Sequence, residues 1–101
     1  MLNIQKTNDA GVLTVALGGR LDTTTAPELE AGLKDGLEGV TELIMDFQEL
    51  EYISSAGLRV LMIAHRVVGE GGKIRVIHAK DVIRTVLEMT GFAEVLTIED
   101  N

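Results

Sequence analysis

Residues 50–61 read Leu-Glu-Tyr-Ile-Ser-Ser-Ala-Gly-Leu-Arg-Val-Leu, and the rest of the chain is organised around them. Upstream, Glu42-Leu43-Ile44-Met45-Asp46-Phe47 has the make-up of a strand. Downstream, Leu58 to Val68 is almost continuously apolar at helical length. Two serines and a glycine stand where the strand hands over to the helix. The first N–H groups of a helix have no intrahelical partners, and the helix dipole makes that end partly positive. A serine there caps the free donors; a phosphate attached there is held by the same donors and the same field. The stretch reads as a strand–loop–helix switch site rather than an active site.

Composition bounds the rest. One hundred and one residues suit one small domain, expected to span 1–101, with a single core. A hydrophobic fraction of 46% and a charged fraction of 25% are those of a folded globule. The core must be aliphatic, because Phe47, Phe92 and Tyr52 are the only aromatic residues. The absence of cysteine removes disulfides, thiolate metal sites and thiol nucleophiles. A net charge of −7 disfavours direct binding to nucleic acid or to an anionic membrane surface. The amino terminus lacks the basic and apolar regions of a signal peptide, and no run approaches the roughly 18 apolar residues of a membrane span. A soluble, cytoplasmic protein is expected.

In chain order, Leu2 to Lys6 alternates as a strand, Asn8-Asp9-Ala10-Gly11 is turn chemistry, and Val12 to Leu17 completes a hairpin that Gly18-Gly19 should end. Thr25 and Glu28 have capping-box spacing, with Pro27 in the first turn. Ala26, Leu29, Leu33 and Leu37 then follow at helical spacing, with Glu28, Glu30, Lys34, Asp35 and Glu38 facing out and Gly39 as terminator. The Leu-Ile-Met run in 42–47 predicts burial on both faces of that strand. In the helix after Ser55, Val60, Leu61, Ala64, Val67 and Val68 share a core face, opposite Arg59, Arg66 and Glu70. Met62 and Ile63 border the charged stripe, either as edge-of-core residues or as an apolar patch for a protein partner. Lys73 to His78 is a further strand. Asp81 caps a helix whose apolar positions are Val82, Ile83, Val86, Leu87 and Met89, Gly91 ends it, and Val95 to Ile98 forms a short edge strand. The order ββαβαβα(β) predicts an α/β fold: a small mixed sheet, mostly parallel with an N-terminal hairpin, flanked by helices.

Enzyme chemistry finds no support. Ser-Ser-Ala-Gly is not a nucleophile elbow, the phosphate-loop and dinucleotide fingerprints are absent, and His65, His78, Asp22 and Asp46 lack metal-ligand spacing. No cofactor and no metal are expected.

Gly19-Arg20-Leu21-Asp22, Thr25-Ala26-Pro27-Glu28-Leu29, Asp46-Phe47 with Tyr52-Ile53-Ser54-Ser55-Ala56-Gly57-Leu58, and Thr90-Gly91-Phe92 occur in that order across essentially the whole chain. In these the sequence resembles the STAS-domain anti-sigma factor antagonists. The resemblance implies partner switching. The unphosphorylated antagonist binds an anti-sigma factor that is also an ATP-dependent serine kinase, and the sigma factor is released. Phosphorylation at the start of the central helix abolishes binding, and a PP2C-like phosphatase reverses it. Aligned on Gly57-Leu58, the phosphoacceptor falls on Ser55, with Ser54 as cap or minor acceptor. The partner-contact residues expected are Asp22, Thr24, Ser54, Ser55, Gly57, Arg59, Met62 and Ile63. Ser54 stands where the family often has aspartate, and Ala56 where many members have a second hydroxyl. Ser55 as no more than an N-cap is the plain alternative at that position. For the whole chain the alternatives are an adaptor STAS domain outside sigma regulation and a nucleotide- or small-ligand sensor.

Overall fold

Ala10 and Gly11 take φ of 53° and 88°, the two positive values that a two-residue hairpin turn requires. Asp9 therefore pairs with Val12, and β1 (Leu2–Asp9) runs antiparallel to β2 (Val12–Leu21) from Leu2↔Gly19 onward. The computed structural model describes residues 2–34, 36–37, 39–69 and 71–99. Asp35, Glu38 and Glu70, expected on outward helix faces, and residues 100–101 of the tail lie outside them.

The remaining elements are α1 (Ala26–Lys34), β3 (Glu42–Ile53), α2 (Ser55–Val68), β4 (Lys73–Ile77), α3 (Asp81–Met89), a 3₁₀ turn at Phe92–Glu94, and β5 (Thr97–Ile98). The five strands lie in sheet order β1-β2-β3-β4-β5, with only the β1–β2 pair antiparallel. This is the expected mixed sheet with its N-terminal hairpin.

Leu13, Val15 and Leu17 of β2, Leu43, Met45 and Phe47 of β3, and Ile74 and Val76 of β4 are buried. The residues between them, among them Thr14, Ala16, Ile44, Asp46 and Arg75, are only half-buried. The buried strand residues form one continuous core with Leu29 and Leu33 of α1, Val60, Leu61 and Ala64 of α2, and Ile83 and Leu87 of α3. The helices thus cover one face of the sheet, and burial of β3 on both faces does not occur. On the open face, Arg75 ties three strand regions together, donating to Glu42 and to Glu99 at 2.7 Å each.

Several expected boundaries move. β2 does not stop at Gly18-Gly19 but continues to Leu21, and β3 runs six residues past Phe47. The cause is a double irregularity: Ala16 pairs with Asp46 but Gly18 with Glu49, and Gly19 with Leu50 but Arg20 with Tyr52. Each shift inserts one extra residue into β3, so its inward positions become Phe47, Leu50 and Ile53, three apart instead of two. α1 ends at Lys34, before Gly36 and Gly39; Leu37 is buried from the connection after it. Val67, expected inward, is 54% exposed. On α3, Val82 and Met89 are likewise outward, at 61% and 82% exposed, while Ile83 and Leu87 are buried. Asp81 is the first helical residue and Lys80 the N-cap. No helix among the described residues is long and apolar enough to cross a membrane.

Candidate functional site

β4 pairs with β3 only as far as Asp46↔Ile77, whereas β2 and β3 continue together to Leu21↔Ile53. The Ser54 N–H donates to the Leu21 carbonyl at 2.9 Å, closing that ribbon. Beyond it β2 turns into α1 through Asp22–Thr25, and β3 turns into α2 through Ser54. Two helix N-termini therefore open from adjacent strand ends at one pole of the molecule.

Asp22 organises the first. Its Oδ1 accepts from the N–H groups of Thr24 and Thr25, at 3.0 Å each. Thr25 is 5% exposed, and its hydroxyl accepts from the Asp22 N–H at 2.9 Å and donates to the Arg20 carbonyl at 2.7 Å. Asp22 Oδ1 lies 3.2 Å away as the other acceptor within reach of that proton. The capping box expected of Thr25 and Glu28 does not form: the Glu28 N–H donates to the Thr25 main-chain carbonyl, because the hydroxyl is turned back towards β2. The Thr25 N–H is the main cause holding the Asp22 carboxyl below its ordinary range; burial opposes it, and the Thr25 hydroxyl, Thr24 N–H and Arg20 guanidinium add to it.

Ser54 organises the second. It is the N-cap of α2, extended at φ −102° and ψ 174°, and its Oγ accepts from the Gly57 N–H at 3.4 Å. Ser55 is the first helical residue and is exposed. Capping and exposure therefore fall on different serines, and the reading of Ser55 as N-cap is replaced by Ser54 in that role. The first turn of α2 carries no acidic residue.

Gly57 is buried and brings the helix start close to the ribbon. A Cβ there would lie 2.7 Å from Leu21 Cγ, 2.9 Å from Leu21 Cδ2 and 3.0 Å from Ile53 Cγ1. Asp22, Thr24, Ser54 and Ser55 thus share the pole, with Thr24 exposed and Asp22 and Ser54 half-buried. Arg59 is exposed one turn into α2; among the described residues it makes no ion pair. Met62 is half-buried against the core. Ile63 borders an apolar cleft of about 150 Å³ between α1 and α2, with Leu33, Leu37, Val60 and the outward Val67.

Two residues at this pole were not singled out from sequence. The Arg20 guanidinium sits 4.2 Å from the centre of the Tyr52 ring, and its Nε is 3.8 Å from Asp22 Oδ2. Arg20 and Tyr52 are paired across the shifted register, so their spacing along the chain carried no sign of it. Among the described residues no three acidic or histidine side chains gather in a way that could hold a metal ion.

A family model described as the STAS domain matches residues 3–101. The chain belongs to the STAS domain family. It is 32% identical over 93 residues, 90% of this chain and 80% of the other, to BtrV of Bordetella bronchiseptica, whose name provisionally makes it an anti-sigma factor antagonist. The crystal structure of an anti-sigma factor antagonist from Mycobacterium paratuberculosis superposes with a TM-score of 0.90 at 22% identity, covering 100% of this chain and 87% of that one. SpoIIAA, an anti-sigma factor antagonist, superposes in its unphosphorylated form with a TM-score of 0.77, covering 98% of this chain and 89% of that one. The phosphorylated Bacillus SpoIIAA does so with a TM-score of 0.75, covering 98% and 93%, and both forms are 17% identical to this chain. At these identities the likeness to the solved structures is one of STAS fold.

Proposed function

We propose that this STAS chain is an anti-sigma factor antagonist acting by partner switching, with residues 1–101 working as one domain. The observation that carries the reading is the placement of Ser55: exposed, at the first position of α2, beside a capping serine and at the pole it shares with Asp22. The names of BtrV and SpoIIAA, and the phosphorylated form of SpoIIAA, support it.

In the unphosphorylated state the pole docks on an anti-sigma factor with serine-kinase activity, and the sigma factor is released. Asp22, Thr24, Ser54, Arg59, Met62 and Ile63 make the contact around Ser55, and Gly57 acts by letting the helix start lie low on the ribbon. The kinase then catalyses attack of Ser55 Oγ on the γ-phosphorus of ATP. The bond to ADP breaks, ADP leaves, and a base of the kinase takes the hydroxyl proton. The added group carries about −1.5 to −2 charge and three strong acceptors. Free N–H groups and the helix dipole accommodate it without unfolding the domain. Its bulk and charge on the contact surface oppose docking directly; a 30-fold loss of affinity needs only about 2 kcal/mol. A PP2C-like phosphatase resets the switch. The protein is then a cytoplasmic regulator with no catalysis of its own, and neither nucleic acid nor a membrane takes part directly.

The test is intact mass with site mapping after incubation with ATP and the serine kinase encoded nearest to the gene. One added phosphate on Ser55, with loss of kinase binding, is expected. The absence of both phosphate and binding would overturn the proposal.

A further inference from the structure

The chain carries 16 acidic and 9 basic side chains, so an exposed arginine without a carboxylate partner is out of keeping with its charge balance. Among the described arginines, Arg20 stacks on Tyr52 and approaches Asp22, Arg75 is held by Glu42 and Glu99, and Arg84 pairs with Glu88. Arg59 and Arg66 have no such partner among the described residues. Arg66 lies in the last turn of α2, where the negative end of the dipole accounts for a cation. Arg59 lies one turn in from the positive end, where the dipole offers a cation no support. An exposed cation with neither a dipole nor a carboxylate partner among the described residues is what remains unexplained in the resting protein.

Its position relative to Ser55 supplies an explanation. Residues four apart on a helix are neighbours on one face, and the order anion first, cation four residues on, is the favourable one. Ser55 and Arg59 have that spacing and order, both side chains are exposed, and no acidic residue of the first turn competes.

We propose that Arg59 is a built-in counter-charge for a phosphate on Ser55. This rests on the reading of Ser55 as phosphoacceptor and specifies how that site is regulated. In the resting state the guanidinium is free to meet an acidic group of the partner. After phosphoryl transfer it turns to the phosphate four residues away and is withdrawn from the interface. Modification therefore changes the pole twice, adding an anion at Ser55 and removing the cation that the partner would have used. The same pairing holds the first turn of α2 in place, so the phosphorylated domain stays folded.

The experiment uses full-length protein with phosphoserine introduced at position 55 during translation, so that it does not depend on any kinase. The second ionisation of the phosphoserine is followed by ³¹P NMR for the parent and for Arg59→Gln, with Arg66→Gln as a control two turns away. Stabilisation of the dianion by Arg59 predicts a midpoint about 0.4 pH unit higher in R59Q than in the parent, no such rise in R66Q, and a difference that shrinks as salt screens an exposed pair. Equal midpoints in the parent and R59Q, or an equal rise in R59Q and R66Q, would overturn the proposal. Failure of Ser55 phosphorylation by the cognate kinase would instead count against the partner-switching reading, and leaves this comparison readable.

Discussion

Gly57→Ala tests whether the pole is held by the close approach of α2 to the β2–β3 ribbon. By helix propensity alone the substitution should stabilise, by up to about 1 kcal/mol. The surroundings decide otherwise. The new Cβ would meet three side-chain carbons at 2.7, 2.9 and 3.0 Å, where carbon–carbon contact prefers about 3.5–4.0 Å. Two of the three belong to Leu21, which is 0% exposed, and the third to Ile53, 6% exposed, so neither side chain has room to swing aside. Overpacking of a tight core costs about 1–3 kcal/mol, and the upper end fits three simultaneous clashes with branched carbons. Subtracting the propensity gain leaves a net loss of about 2 kcal/mol. With an unfolding entropy near 2.1 cal/mol/K per residue, a chain of this length should lose about 10 °C in Tm. Thermal unfolding followed by circular dichroism at 222 nm, paired with urea titration, measures it. Gly32→Ala is the internal control: its Cβ would meet nothing nearer than Lys6 Nζ at 3.9 Å, the flexible end of a long side chain. It should raise stability by about 0.5–1 kcal/mol. Equal behaviour of the two variants, both neutral or both stabilised, would refute the packing argument and leave Gly57 with no structural reason.

Three further outcomes are expected. Ser55→Asp should weaken binding to the cognate kinase about 30-fold, as measured by calorimetry, while leaving Tm nearly unchanged, because an acidic residue suits the first helical turn; equal affinities would sink the interface assignment. Asp22 should titrate below its unperturbed 3.8 by NMR, and Thr25→Val should move its midpoint part of the way back. Because the folded value is depressed, the stability this adds is present above the unfolded value and is lost as the pH falls through the folded one. The advantage of wild type over Asp22→Asn should therefore be flat near neutrality and vanish only below about pH 4. Finally, Leu50→Ala should cost about 2–5 kcal/mol although Leu50 lies in a stretch that breaks strand alternation, whereas Met89→Ala, at 82% exposed, should stay within about 0.5 kcal/mol.

The order of elements was readable from residue spacing because each signal is local. The Ala10-Gly11 turn, the 3.6-residue period from Ala26 to Leu33, the serine pair before α2 and Gly91 after α3 depend on neighbours within a turn or two. The helix start at Ser54-Ser55 was readable for the same reason, since such a start is written in the four or five residues around it, and the resemblance to the family then singled out Ser55. Asp22 was expected among the partner contacts that the resemblance implies, but its role as the N–H acceptor before α1 was not foreseen. Thr25 and Asp22 both have the chemistry to cap, and the choice between them lies in the Arg20 carbonyl, which draws the Thr25 hydroxyl back to β2.

What escaped depends on partners distant in the chain. The strand after Phe47 was invisible because two extra residues in β3 change its inward period from two to three, and only pairing with β2 reveals them. The Arg20–Tyr52 stack follows from the same shifted register. Leu37 was assigned to a helix and Val67 to a core, and Val82 and Met89 were grouped with the buried Ile83 and Leu87, since an apolar residue at helical spacing looks the same whether or not another element comes to cover it. Periodicity is a property of one segment and burial a property of two. The order of the elements and the helix start at the serine pair could therefore be read from the chain, whereas register, coverage, the choice of capping group and the meeting of two helix starts at one pole arose only when the segments packed together.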